Sequence, residues 1–234
     1  MKLTFQLFLL GIVVMLAGGC VASRSTPTKT VADRLQEYGP AARIRLWPYF
    51  TRAGVNYPPQ KVALVGLKAE RELQVYAESD GGGWKFVRAY PVLGASGVIG
   101  PKLREGDRQV PEGIYPIDLL NPNSRHQISM QIGYPNAFDR EQAAHEGRAS
   151  LGGEIMIHGG NTSIGCLAVG DEPSADLFVL TADTGVSNVK VILSPVDFRA
   201  GKSLPETNQL PAWTADLYEQ IKARLAELPL PENP

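Results

Sequence analysis

The chain of 234 residues is long enough for one domain of ordinary size with further elements around it. Its hydrophobic and charged fractions, 44% and 20%, are those of a soluble globular protein. With a formal net charge of −1 and no basic block, electrostatic capture of nucleic acid is excluded as a purpose, and no such partner is expected.

The first twenty residues differ in kind from the rest. Met1-Lys2 gives a positive start, and no further charge occurs before Arg24. Between them the apolar run from Phe8 to Leu16 is too short to span a bilayer comfortably, and it ends in small residues, Ala17-Gly18-Gly19-Cys20. Residues 1–19 therefore read as a secretory signal peptide. Small residues running up to a cysteine resemble the bacterial lipobox, with Ala17 where leucine is usual. That resemblance implies cleavage before Cys20, acylation of its thiol and attachment to a membrane through the N-terminal lipid. Val21 stands where an aspartate would signal inner-membrane retention. The expected location is periplasmic, on the outer membrane in preference to the inner.

There are two cysteines. If Cys20 carries lipid, Cys166 has no intramolecular partner. A single thiol in an oxidising compartment is either buried and inert or present for its reactivity.

Residues 20–30 comprise the lipidated cysteine and a Ser-, Thr- and Pro-rich tether that reaches about 30 Å when extended. Residues 31–60 read as an N-terminal helical segment, two short helices broken at Gly39-Pro40, with Pro48 interrupting the second. From Lys61 the pattern alternates, and 61–193 reads as the main domain. Its strand candidates are Lys61–Leu67, Glu72–Ala77, Trp84–Val92, Ile114–Leu119, Gln127–Ile132, Glu154–His158 and Asn188–Leu193. Pro173–Ala182 is a helix candidate, with Gly185 just beyond its end. Residues 194–234 form a C-terminal extension. Within it Trp213, Leu217, Ile221 and Leu225 recur every four residues and predict an amphipathic helix. The fold class is mostly β with flanking helices (α+β), a sandwich or mixed sheets with a helix after the cysteine loop.

The chemistry gathers in Glu154-Ile155-Met156-Ile157-His158-Gly159-Gly160-Asn161-Thr162-Ser163-Ile164-Gly165-Cys166. A hydrophobic strand ends in a histidine, and a polar, glycine-rich loop leads to a cysteine eight positions later. A loop that tight can bring imidazole and thiol within hydrogen-bonding reach. A neutral thiol needs a nearby base or positive field to become a nucleophile. Gly159, Gly160 and Gly165 allow close backbone approach, and N–H groups beside the nucleophile can form an oxyanion hole. The alternative from the residues alone is a capped core histidine beside a buried, inert cysteine. A zinc site would need more Cys or His at ligand spacing than His126 and His145 provide, so no metal is expected.

This stretch resembles the active-site segment of L,D-transpeptidases of the YkuD type, where a strand ends in His-Gly and a Ser-x-Gly-Cys loop follows. Here that loop is Ser163-Ile164-Gly165-Cys166. The upstream run Gly100 to Tyr115, holding Val110-Pro111-Glu112-Gly113-Ile114-Tyr115, resembles the family's Thr-Pro-x-Gly-x-(Phe/Tyr) segment. Leu120-Asn121-Pro122-Asn123-Ser124 and Ile132-Gly133-Tyr134-Pro135-Asn136 are similar to the YafK-like branch. Many members carry a second histidine where this chain has Ile164, and an arginine where Leu167-Ala168-Val169 follows the cysteine.

The resemblance implies Cys166 as nucleophile and His158 as proton donor and acceptor, with Gly159, Ser163 and Gly165 supporting the loop and the oxyanion. What orients the other nitrogen of His158 is open, a backbone carbonyl near Gly159 being one candidate. The resemblance further implies a thioester mechanism on diaminopimelate of peptidoglycan stem peptides, with no cofactor. Arg125, Arg148 and Lys102 are candidates for binding substrate carboxylates. Two alternatives stand beside transfer. One is hydrolysis by the same pair, releasing a wall-linked lipoprotein partner. The other is a non-catalytic lipoprotein that binds the wall.

Overall fold

A computed structural model of the chain describes residues 28–204 and 210–231. The signal peptide, Cys20 and most of the tether lie outside the described residues. Among the described residues no helix is long and apolar enough to cross a membrane.

The first element is one helix, α1 (Val31–Ala53), in place of the two expected. Thr30 and Asp33 form a capping box at its start, and Gly54 closes it in the left-handed conformation. Pro40 and Pro48 lie inside it, both on the exposed face. Each deprives a carbonyl four residues back of its partner. Those carbonyls, on exposed Gln36 and Ile44, are left to solvent, so the helix continues. The opposite face buries Ala42, Leu46 and Phe50.

The strands are β1 (Val62–Leu67), β2 (Glu72–Glu78), β3 (Trp84–Pro91), β4 (Gly113–Ser124), β5 (Gln127–Ile132), β6 (Met156–His158), β7 (Leu167–Ala168) and β8 (Val189–Ser194). They form one sheet in the order β3-β2-β1-β8-β4-β5-β6-β7. Two pairings are parallel, β1 with β8 and β6 with β7, and the others are antiparallel. β4 joins the two halves: Gly113–Pro116 pair with β8, and Ile117–Ser124 with β5. β7 was not foreseen, since two residues between glycines carry no readable alternation.

Three helices complete the chain: α2 (Ala137–His145), α3 (Asp171–Thr184) and α4 (Thr214–Leu225). α2 was also missed, although Asn136 and Asp139 form its capping box and were legible as such. One face of the sheet places Leu64, Leu73, Val75 and Val191 against Leu46 and Phe50 of α1 and Leu177 and Phe178 of α3. The other places Ala63, Val65, Tyr76 and Ile192 against Leu217, Ile221 and Leu225 of α4. With both faces covered, β1 is buried at every position and reads as a continuous apolar run.

Ion pairs fasten the helices. Arg43 reaches Asp183 at 2.7 Å and Arg45 reaches Asp176 at 2.6 Å, tying α1 to α3. Glu112, fully buried just before β4, pairs with Lys68 at 2.8 Å and accepts a hydrogen bond from the Tyr218 hydroxyl of α4 at 2.8 Å.

Candidate active site

The cysteine loop closes the narrow end of the sheet. β6 carries His158 at its last position, eight residues before Cys166, and Cys166 immediately precedes β7. Parallel pairing sets Ile157 opposite Leu167 and His158 opposite Ala168, so by extension Cys166 lies beside Met156. A bridge from Gly94 to Ala168 covers the outer edge of β7. β6 starts two residues later than expected because Glu154 adopts a left-handed conformation, φ 54°, which interrupts the extended backbone ahead of it. The Glu154 carbonyl lies 3.8 Å from the Cys166 sulfur, so the unusual backbone adjoins the thiol.

Ser163 holds the loop together. Its hydroxyl accepts the N–H groups of Gly165 (3.2 Å) and Cys166 (2.9 Å) and donates to the Cys166 carbonyl (2.6 Å). Gly165 has φ 124°, a conformation open mainly to glycine. A Cβ on Gly159 would strike the Asp171 carboxylate, which accepts the Gly160 N–H at 2.8 Å. The N–H groups of Gly165 and Cys166 are engaged by Ser163, so an oxyanion would reach them only by sharing or exchanging that bond.

His158 is buried, and its Nδ1 lies 2.6 Å from the Gly159 carbonyl. A carbonyl can only accept, so Nδ1 carries the proton and Nε2 keeps its lone pair. This answers what orients the ring. Burial pushes the His158 pKa below its ordinary value; the Gly159 bond opposes that shift and His126 adds to it. At neutral pH the imidazole is neutral and able to accept a proton.

The Cys166 sulfur is partly exposed and accepts the Met156 N–H at 3.4 Å. Burial pushes its pKa up; the Met156 N–H and the Lys102 ammonium pull it back, and Glu154 adds to the rise. The resting pair is a thiol and a neutral imidazole, not a preformed ion pair. Among the described residues no hydrogen bond joins the two side chains, the sulfur being turned to Met156 and Glu154. Catalytic hydrogen bonds are often unmade before substrate arrives.

Of the three cations proposed for substrate carboxylates, Lys102 is buried and bonded to Asp107 and the Arg104 carbonyl. Arg148 pairs with Glu146 and the Leu103 carbonyl, and Arg125 is exposed. Only Lys102 makes its charge felt at Cys166. Gln109, whose carbonyl lies 3.5 Å from where Gly165 would carry a Cβ, also lines a cleft of about 630 Å³ with Arg104 and Arg148. Ile164 stands at the loop tip, 80% exposed. Among the described residues no group of His, Cys, Asp and Glu gathers as metal ligands. The residue that sequence reasoning missed is His126, whose ring stacks on His158 with centroids 3.9 Å apart.

The chain is 32% identical over 161 residues to the Escherichia coli K12 protein named "Putative L,D-transpeptidase YafK". That match covers 67% of this chain and 61% of YafK, so the chain spans about six-tenths of its relative's length. An identical match is made to the protein of the same name in E. coli O157:H7. No family model matches. Among solved structures, the helical cell shape determining protein Pgp2 of Campylobacter jejuni superposes with a TM-score of 0.47 at 20% identity, over 63% of this chain and 50% of that one. L,D-transpeptidase 1 of Mycobacterium tuberculosis gives 0.33 at 13% identity, over 57% and 62%.

Proposed function

This chain belongs to the YafK-like branch of the L,D-transpeptidase family, and we propose from that membership and its site that it is a cysteine acyltransferase acting on peptidoglycan stem peptides. One observation carries the reading: a thiol on a loop stapled by Ser163 lies one strand away from a neutral imidazole whose Nδ1 is already anchored.

The reaction begins with rotation of the Cys166 side chain away from Met156 toward Nε2 of His158. Nε2 takes the thiol proton, and the sulfur attacks the carbonyl carbon at the L-centre of meso-diaminopimelate. The tetrahedral intermediate collapses as the C–N bond breaks, and the His158 imidazolium gives its proton to the departing amine. A thioester on Cys166 remains. An acceptor amine then loses its proton to His158, attacks the thioester and leaves a new amide with the thiol restored. In this reading Arg104 and Arg148, on the wall of the cleft that Gln109 lines, are the cations for the carboxylates of the donor stem.

Hydrolysis, with water in place of the amine, is the second reading. It is favoured by Ile164, which stands 80% exposed at the loop tip and offers an acceptor no polar group. In this reading the leaving group is a wall-linked lipoprotein. The site of action is the periplasm, with the chain held to the outer membrane through acylated Cys20.

Intact-mass measurement after incubation with a carbapenem tests the chemistry: one adduct is expected on the wild type. Muropeptides then separate the outcomes, since transfer yields 3→3 cross-linked dimers whereas hydrolysis removes a lysine- or arginine-terminated protein remnant. Fatty-acid labelling that vanishes in Cys20→Ala tests the anchor.

A further inference from the structure

The turn between β4 and β5 brings a second imidazole to the site. The His126 ring lies over that of His158, with centroids 3.9 Å apart and planes 18° from parallel. Its Nδ1 is 3.4 Å from where Gly160 would carry a Cβ, so the ring packs on the backbone that follows His158 as well as on the imidazole itself. The sequence sets it at the start of β5, one residue before Gln127, and β5 pairs with β6 through Ser129 and His158. Nothing in the acyl-transfer steps above uses this ring.

We infer that His126 is a positioning residue for His158, holding the imidazole plane so that Nε2 faces the cysteine loop. The inference rests on the reading of Cys166 and His158 as an acyl-transfer pair.

First, the Gly159 carbonyl anchors one nitrogen, yet a single hydrogen bond lets a ring tilt about it. A flat neighbour at stacking distance removes that freedom. Second, His158 becomes an imidazolium when it holds the thiol proton. A neutral ring stacked on it supports that charge through its π-face. A protonated ring would set two cations 3.9 Å apart in a partly buried place and oppose it.

The other ionisable groups around His158 do not supply this behaviour. α3 presents Asp171, whose carboxylate is occupied by the Gly160 N–H. The cysteine loop presents the Cys166 thiol, which stays neutral on the acid side because burial raises its pKa. β5 presents Ser129, which does not titrate, and Arg125 beside His126 is exposed and always charged.

The test uses the chain itself with two variants, His126→Phe, which keeps a flat ring without a titrating nitrogen, and His126→Ala, which removes both. Carbapenem acylation rates are measured against pH, and the ring protons of His158 are titrated by NMR, a readout that needs no activity. In His126→Phe most of the neutral-pH rate should be kept, and the His158 titration should move to higher pH because the neighbouring charge is gone. His126→Ala should lose about tenfold or more at every pH, as misplacement of a reacting group does. An undiminished rate in His126→Ala, or a rate in His126→Phe that falls as far as in His126→Ala, would overturn the inference. If the wild type takes no acyl group, the acyl-transfer reading is what has failed. An unmoved His158 titration in His126→Phe then overturns the inference on its own account.

Discussion

The two ends of the sheet hold their shape by different means. At one end β3, β2, β1 and β8 pair over runs of six to eight residues, and β1 is buried along its whole length between helices on both faces. At the other end β6 has three residues and β7 two, too few for backbone pairing to fix a reactive loop. Polar side chains replace the missing ladder there: Ser163 bridges the loop to its own cysteine, and Asp171 ties Gly160 to α3. On the proposed function, stability resides in the first end and reactivity in the second, so mutations should separate the two properties.

The largest effect belongs to Cys166→Ala, which should abolish the carbapenem adduct while the melting temperature stays close to that of the wild type. An adduct that persists would move the chemistry to another residue. His158→Gln should slow acylation by about a hundred- to ten-thousand-fold, the usual worth of a general base. Ser163→Ala comes next, with about tenfold slower acylation because the loop loses its staple. Its unfolding midpoint in urea should barely move; a large shift would mean that the two ends are one cooperative unit. Leu64→Ala reverses the pattern. Removing a fully buried side chain from the scaffold end should cost about 2–5 kcal/mol of stability and leave the acylation rate unchanged below the melting transition.

The smallest effect is linked to pH. His158 is buried and its folded pKa lies below the ordinary 6.5, so the unfolded chain binds the proton first. Its neutral ring contributes stability that is present above about pH 6.5 and is lost as pH falls through the lower folded value. Melting curves from pH 7 to pH 5 should therefore drop more steeply for the wild type than for His158→Gln.

The sequence made the two ends legible to different degrees. Alternation or a continuous apolar run marked β1 to β3, β5 and β8 closely, because a half- or fully buried strand repeats its signal along its length, whereas only the first half of β4 was marked, its end at Ser124 lying beyond the expected Leu119. His-Gly and Ser-x-Gly-Cys marked the cysteine loop, because glycine and serine there have backbone tasks that few residues can take. The continuous α1 was hidden by Pro40 and Pro48, whose cost depends on which way the freed carbonyls face, a tertiary property. His126 was hidden for a similar reason: thirty-two positions from His158, it reaches the site only through the β4–β5 turn and the pairing of β5 with β6. The left-handed Glu154 gave no sign in composition at all, since glutamate has no preference for that conformation.

The buried Glu112 carboxylate, held by Lys68 on one side and the Tyr218 hydroxyl on the other, bears on how the protein can be cut down. Glu112 sits one residue before β4, the strand that links the durable end of the sheet to the reactive one. A shorter version ending before α4 would bare the apolar face formed by Val65, Tyr76 and Ile192 and leave Glu112 without the Tyr218 hydroxyl, one of its three partners together with Lys68 and the Gly100 N–H. A charge in that position is tolerated only while it is fully bonded. Protein engineers seeking a minimal soluble unit, or a fusion partner joined at the C-terminal side, should therefore retain the chain through Leu228, whose side chain belongs to the same apolar cluster.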